Sequence, residues 1–276
     1  MATKLPDEMT ETITSPNNPS IKELRKLHDR RHRDRTGLFT AEGEDMLVES
    51  MRHGFPPEQV FHDHELDPAL LDDLPRGIER IRVDAGVLAR ASTLGSGTRV
   101  IGVWRQRRSA IADALAGGGE AAPAVYLHEV ADPGNVGAVL RASYGFGATA
   151  VVVSPKTADP FGPKSVRASM GAVFAVPLAE ATFEDVLGVD AGTRTTVALA
   201  PRAGTPLRDL DLSGPVVFAL GAERTGLPES LLTSCEAVAH VPLVREGAES
   251  LNVAMTATLC LYESSLHRLS RSDGKP

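Results

Sequence analysis

The 276-residue chain is long enough for two compact domains, and its 42% hydrophobic content supplies an ordinary core. A formal net charge of −7 excludes a diffuse positive field as the means of attracting nucleic acid. Aromatic content of 4% argues against a surface that stacks bases on a row of rings, and two distant cysteines, Cys235 and Cys260, exclude a disulfide framework and suit a reducing compartment.

The first eighteen residues are polar and carry no apolar run of a secretory leader, and no later stretch has the length of a membrane span. A cytoplasmic protein that does not enter a membrane is expected. Basic charge is concentrated rather than absent. Lys22, Arg25, Lys26, Arg30, Arg31, Arg33 and Arg35 outnumber Glu23, Asp29 and Asp34, and Arg105, Arg107 and Arg108 form a second cluster. Ser20, following Pro19, predicts the cap of one basic helix over residues 21 to about 34, with Ile21, Leu24 and Leu27 at helical spacing. The run LFTAEGEDMLVESMRHG predicts a strand and a helix that stops at Gly54. QVFHD, IERIRVD and residues 100–104 follow as short strands. Residues 13–108 therefore read as a small α/β domain behind a polar tail, 1–12.

The Gly/Ala-rich stretch ALAGGGEAAPA predicts a flexible linker, placed at 109–123. From 124 to 276 strands alternate with helices. AVYLHEV, TAVVV, TTVALA, PVVFALG and AVAHVPL are strands; VGAVLRASYGF, KSVRASMGAV and a long C-terminal segment, about 251–269, are helices. This order implies a mostly parallel sheet covered on both faces. Ligands in such sheets bind outside the carboxyl ends of the strands, which directs attention to the loops ADPGN, GAERTGLP and PLVREGAESLN.

Two simpler readings fail. Gly145, Gly147 and Ala150 in GFGATA have dinucleotide-motif spacing but follow a helix and precede a strand, the reverse of what nicotinamide binding needs. A helix stop and tight turn is the better reading. His62-Asp63-His64 has no cysteine or further histidine at ligand spacing, so a solvated loop is expected and no metal.

Three segments of the second half remain. In NVGAVLR, Asn135 follows an Asp-Pro-Gly turn and can begin a helix, with Arg141 expected near the same face within two turns. In LGAERTGLP, Gly221 lets a ligand approach the end of a buried strand, and Glu223 and Arg224 project. In VPLVREGAESLNVAMTATLCLYE, Ser250 and Asn252 stand before an apolar helix, whose first N–H groups are free. Its Ala254, Thr256, Ala257 and Thr258 permit close packing. Each motif alone has an ordinary explanation in capping, a strand-to-helix connection or core packing.

In order and spacing, the three segments resemble the motifs of the SpoU (TrmH-like) branch of the SPOUT-type knotted RNA methyltransferases. The likeness spans nearly the whole chain. The opening ITSPNNPSIKELRKLHDRRHRDRTGLFTAEGEDML is similar to the substrate-binding domain of many members, itself like a kink-turn-binding ribosomal protein. The resemblance implies an α/β fold whose C-terminal domain is a deep trefoil knot on a mostly parallel sheet, preceded by a small α/β RNA-binding domain. It implies a homodimer formed through the C-terminal domain, with S-adenosylmethionine bent in the knot. Leu220, Gly221, Val241, Leu243, Ser250 and Leu251 would hold the cofactor, and Asn135, Arg141, Glu223, Ser250 and Asn252 would be catalytic.

The implied reaction is methylation of a ribose 2′-hydroxyl in structured RNA, with 23S ribosomal RNA preferred and transfer RNA second. Arg141 stays protonated, so its expected role is to bind an RNA phosphate or steady a developing alkoxide. Asn135 would orient the ribose or Arg141, and Glu223 the dimer-side geometry. Lys22, Arg25, Lys26, Arg30, Arg31, Arg33, Arg35 and Arg105 would contact RNA phosphates. Three alternatives stand beside this reading: a transfer RNA ribose methyltransferase, a base methyltransferase, and a non-catalytic RNA-binding factor on the ribosome.

Overall fold

In the computed structural model, which describes residues 11–94, 97–117, 121–190, 192–244 and 250–272, the chain divides into two units. The first comprises residues up to Gln106 together with Phe161–Pro163, the second Arg107–Pro160 and Lys164 onward. Most of the expected polar tail (1–10), the Gly-rich centre of the expected linker (118–120) and residues 245–249 of the third motif's loop lie outside the described residues.

The first unit runs α1 (Pro19–Lys26), α2 (Arg30–Thr36), β1 (Leu38–Glu42), α3 (Glu44–Arg52), β2 (Gln59–His62), α4 (Pro68–Asp72), β3 (Glu79–Arg82), α5 (Ala85–Ala91) and β4 (Val100–Arg105). Its sheet has the order β1-β4-β2-β3, antiparallel except for the parallel β2–β3 pair. Ile21, Leu24 and Leu27 pack with Val87, Leu88 and Ala91 over Phe61, Ile81, Ile101 and Val103, as the helical spacing predicted.

The single basic helix is instead two. Asn18, not Ser20, caps α1, accepting from Ser20 N at 2.9 Å, and the helix ends at Leu27. Asp29 then caps α2 by accepting from His32 N. The break is sealed by Arg33. It is 4% exposed, and its Nη1 donates to the carbonyls of Leu27 and His28 at 2.8 and 2.9 Å. Arg33 thus satisfies backbone oxygens that the end of α1 leaves open, and it is not available to RNA. His62-Asp63-His64 is not the solvated loop expected: His62 ends β2, and Asp63, buried, accepts from Glu65 N and Leu66 N to hold the turn that follows.

The second unit runs α6 (Ile111–Ala116), β5 (Ala124–Leu127), α7 (Pro133–Gly145), β6 (Ala150–Val153), α8 (Pro163–Ser169), β7 (Leu178–Glu180), α9 (Phe183–Asp190), β8 (Thr195–Leu199), β9 (Thr205–Pro206), β10 (Val216–Leu220), α10 (Glu229–Ser234), β11 (Ala237–His240) and α11 (Val253–Ser272). Seven strands form one sheet, β7-β6-β5-β10-β8-β11-β9, with parallel pairing throughout. Val125, Val152, Val217 and Ala219 are fully buried, as expected of strands covered on both faces.

The expected flexible linker contains α6, and its Ala114 and Leu115 belong to the core of this unit. Arg194 fastens it, donating to Leu115 O at 2.5 Å and Ala122 O at 2.6 Å. Low sequence complexity concealed an apolar face that a buried guanidinium holds in place. Phe146 ends α7 and Gly147 turns the chain at φ +66°, so GFGATA is a helix stop and turn.

Candidate active site

Parallel pairing puts the ends of β5, β8, β10 and β11 along one edge, and the functional loops converge there. The helix α7 begins one residue after Asp132, whose carboxylate accepts from Gly134 N at 2.7 Å; Asn135 is therefore inside the first turn rather than its cap. Lys164 Nζ lies 2.8 Å from Asp132 Oδ1, and this contact first, then the Gly134 N–H, holds the carboxyl below the usual aspartate range.

Three side chains from distant motifs meet. Asn135 Nδ2 donates to Glu223 Oε1 at 2.7 Å, and Asn252 Nδ2 donates to Asn135 Oδ1 at 3.0 Å. Asn252 Oδ1 in turn accepts from Ala254 N at 2.9 Å, capping α11. The amides form a directed chain from the free N–H groups of α11 to the Glu223 carboxylate, so the helix dipole and the anion stabilise one another. Glu223 Oε2 also reaches Ala131 N at 3.5 Å.

Arg141 does not join this array. Six residues along an α-helix is about one and two-thirds turns, which puts it about a third of a turn around α7 from Asn135 rather than on the same face. It is exposed, with no hydrogen bond or ion pair among the described residues. Ser250 is exposed at the mouth of the adjoining cavity, and Arg224 is exposed beside Glu223.

That cavity, of about 750 Å³, is lined by all six residues expected to hold the cofactor: Leu220, Gly221, Val241, Leu243, Ser250 and Leu251. Its size is that of a small-molecule site. Gly221 is required: a Cβ there would lie 2.2 Å from the backbone carbon of Gly226. The loop closes tightly because Gly226 N donates to Ala222 O at 2.9 Å and Gly226 turns at φ +66°. Apolar walls from Leu199, Leu220, Val241, Leu251 and Val253, with backbone groups at strand ends and the hydroxyls of Thr225, Ser250 and Thr256, fit a nucleoside attached to a short polar chain.

A fourth loop, the one after β8, was not among those expected, yet its Ala200, Pro201 and Arg202 line the cavity together with Leu199. The rule that picked out the other three loops applied to it equally; APRAG merely lacks a recognisable motif. Among the described residues, no cluster of three potential metal ligands occurs, and no helix is long and apolar enough to cross a membrane.

Residues 122–262 match the model of the SpoU rRNA Methylase family, and residues 18–102 that of an MRM3-like substrate binding domain. The chain belongs to the SpoU rRNA methylase family. Among the relatives of this SpoU chain, the 23S rRNA (guanosine(2553)-2′-O)-methyltransferase RlmP of Bacillus subtilis (strain 168) is 27% identical over 91% of the chain and 97% of the relative. An AdoMet-bound rRNA methyltransferase from Sinorhizobium meliloti superposes with a TM-score of 0.85 at 30% identity, over 93% of the chain and 98% of its own. The SpoU methyltransferase AviRb from Streptomyces viridochromogenes, in complex with AdoMet, gives 0.83 at 25% identity over 92% and 99%.

Proposed function

We propose that this SpoU chain transfers the methyl group of S-adenosylmethionine to a ribose 2′-hydroxyl of 23S ribosomal RNA. The observation that carries the reading is the Glu223–Asn135–Asn252 array, whose Glu223 lines a cavity suited to the cofactor. The cofactor supplies an electrophilic methyl on a sulfonium, and everything else asked of the protein is placement.

Asn135 has one Nδ2 hydrogen committed to Glu223 and its oxygen committed to Asn252, which leaves a second N–H to orient the ribose. Exposed Arg141 keeps its charge and its bidentate fork for an RNA phosphate or the developing alkoxide, and the hydroxyl proton leaves to phosphate or water. In the first unit, Lys22, Arg25, Lys26, Arg30, Arg31 and Arg35 are exposed and supply the phosphate contacts. Arg105 is exposed too and shares its charge with Glu58 at 2.7 Å, as Lys26 does with Glu23 at 2.5 Å and Arg30 with Asp34 at 3.7 Å.

Residues 13–108 are the substrate-binding domain of this reading and 124–276 the catalytic one. The trefoil knot is supported by the path of the chain: after β11 it lines the cavity, and α11 then packs along α7, the helix that follows β5, with β8 and β10 lying between β5 and β11. The homodimer is supported by Met255, Tyr262, Leu266 and Leu269, exposed apolar residues that recur after seven, four and three positions along one stripe of α11. Cytoplasmic residence accompanies a ribosomal substrate and two cysteines that form no disulfide.

The test is incubation with radiolabelled S-adenosylmethionine and protein-free ribosomal RNA from a deletion strain, followed by digestion to nucleosides. Label in a 2′-O-methyl nucleoside, absent with Arg141→Ala, is the expected result. Label in a base, or none in ribosomal RNA but some in transfer RNA, would overturn the substrate assignment.

A further inference from the structure

Arg224 projects from the second motif and has so far been given no task. It sits in a turn that closes on itself: Gly226 N donates to Ala222 O at 2.9 Å, and Ala222 and Gly226 form an isolated antiparallel bridge. Its neighbour Glu223 ties the turn across to Asn135 at 2.7 Å and reaches Ala131 N at 3.5 Å. The backbone of Arg224 is therefore held in a fixed place relative to the amide of Asn135.

The charges nearby are otherwise matched. Asp132 pairs with Lys164 at 2.8 Å, Glu129 pairs with Lys156 at 3.0 Å, and Glu223 is engaged by Asn135. The guanidiniums of Arg141 and Arg224 are left over. Both are exposed, and neither has a hydrogen bond or ion pair among the described residues.

An exposed arginine is most often a solvated charge, and its position separates Arg224 from that case. It lines the cavity, and S-adenosylmethionine would bring a sulfonium and an ammonium there. A free guanidinium at this rim adds like charge unless an anion arrives to offset it. The ribose 2′-hydroxyl lies on the carbon next to the one that bears the 3′-phosphodiester. Delivering that hydroxyl to Asn135 brings the phosphate into the same neighbourhood, beside the turn that Glu223 shares with Arg224.

We propose that Arg224 is an RNA-binding residue that takes the phosphodiester 3′ to the target ribose and so positions the nucleotide against Asn135. The assignment rests on the function proposed above. A guanidinium fork matches two phosphate oxygens in shape, and the contact is charge-assisted.

Initial rates and filter binding on the full-length protein with protein-free 23S ribosomal RNA, beside calorimetry with S-adenosylhomocysteine, separate the cases. Arg224→Gln should raise KM for RNA about tenfold or more and leave the affinity for S-adenosylhomocysteine within about twofold. The slope of log affinity for RNA against log salt should fall by about one, while Arg224→Lys should keep the slope and recover only part of KM. Both variants should melt with the parent protein, since the side chain holds no partner that stabilises the fold. A loss confined to S-adenosylhomocysteine would give Arg224 to the carboxylate of the cofactor and overturn the assignment. Unchanged KM and salt slope would overturn it equally, leaving a solvated surface charge. A parent protein that binds S-adenosylhomocysteine but not the RNA would instead overturn the substrate reading, and the role of Arg224 with it.

Discussion

The Asn135 amide is oriented by Glu223, which accepts from its Nδ2 at 2.7 Å, and this hydrogen bond joins residues 88 positions apart in sequence. Asn135→Asp would replace the donor with a second carboxylate facing Glu223, and like charges at that separation repel. Methyl transfer should fall by about a hundredfold or more, since the array loses its geometry. Adding Glu223→Gln restores a donor–acceptor pair with reversed polarity, so the double variant should recover part of the rate. A double variant no better than Asn135→Asp in initial-rate assays would show that Glu223 does more than orient Asn135.

Asn252 serves two purposes with separate atoms, its oxygen capping α11 and its nitrogen holding Asn135. Asn252→Ala removes both and should cost about 1 kcal/mol, a few degrees of melting temperature. Asn252→Asp keeps a capping oxygen and loses the donor. Its melting temperature should stay near that of the parent while activity drops, and a parallel loss of both would deny the division of labour.

Arg33 stands among the basic residues of the first forty but belongs to the core. Arg33→Gln strands the carbonyls of Leu27 and His28 and should destabilise the first unit by about 2–4 kcal/mol in urea titration. Arg30→Gln with Arg31→Gln, both exposed, should leave stability alone and reduce the slope of log affinity for RNA against log salt by about one for each phosphate no longer neutralised. An unchanged slope would remove these two residues from the RNA surface.

The stripe on α11 predicts its own assay. Leu266→Glu with Leu269→Glu places two charges in the proposed dimer face and should convert the protein to monomer in sedimentation velocity, with little effect on helix content. A parent protein that already sediments as a monomer would refute the dimer.

Burial pushes the Cys235 thiol up to about 11 and the Cys260 thiol higher still. At pH 8 the Cys235 thiolate fraction is then about a hundredfold below that of an ordinary cysteine, and native-state alkylation followed by mass spectrometry should find both nearly unmodified. Rapid labelling of Cys235 would contradict its packing beside Thr196.

Continuous apolar runs and helical stripes were legible in the chain itself: the fully buried β6 and β10, the long α11, and the apolar face of α1. Short ones were not. β7 has three residues, and β9 has two, one of them proline; neither length holds an alternation to read. The helix α9 does carry a local signal, the reciprocal hydrogen bonds between Thr182 and Asp185 at its start, but Thr and Asp three apart are too common in loops to mark a helix unaided.

By itself the sequence determined the alternation of strands and helices and the three family motifs, because each is written in local pattern or short contiguous runs. Only the tertiary structure decided what those residues do to one another. Asn135 and Asn252 meet because parallel strands bring distant loops to one edge, and Arg33 is drawn inward by carbonyls that a helix break exposes. Packing sets these relationships, across as many as 117 positions of chain, and a local pattern of residue types does not encode them.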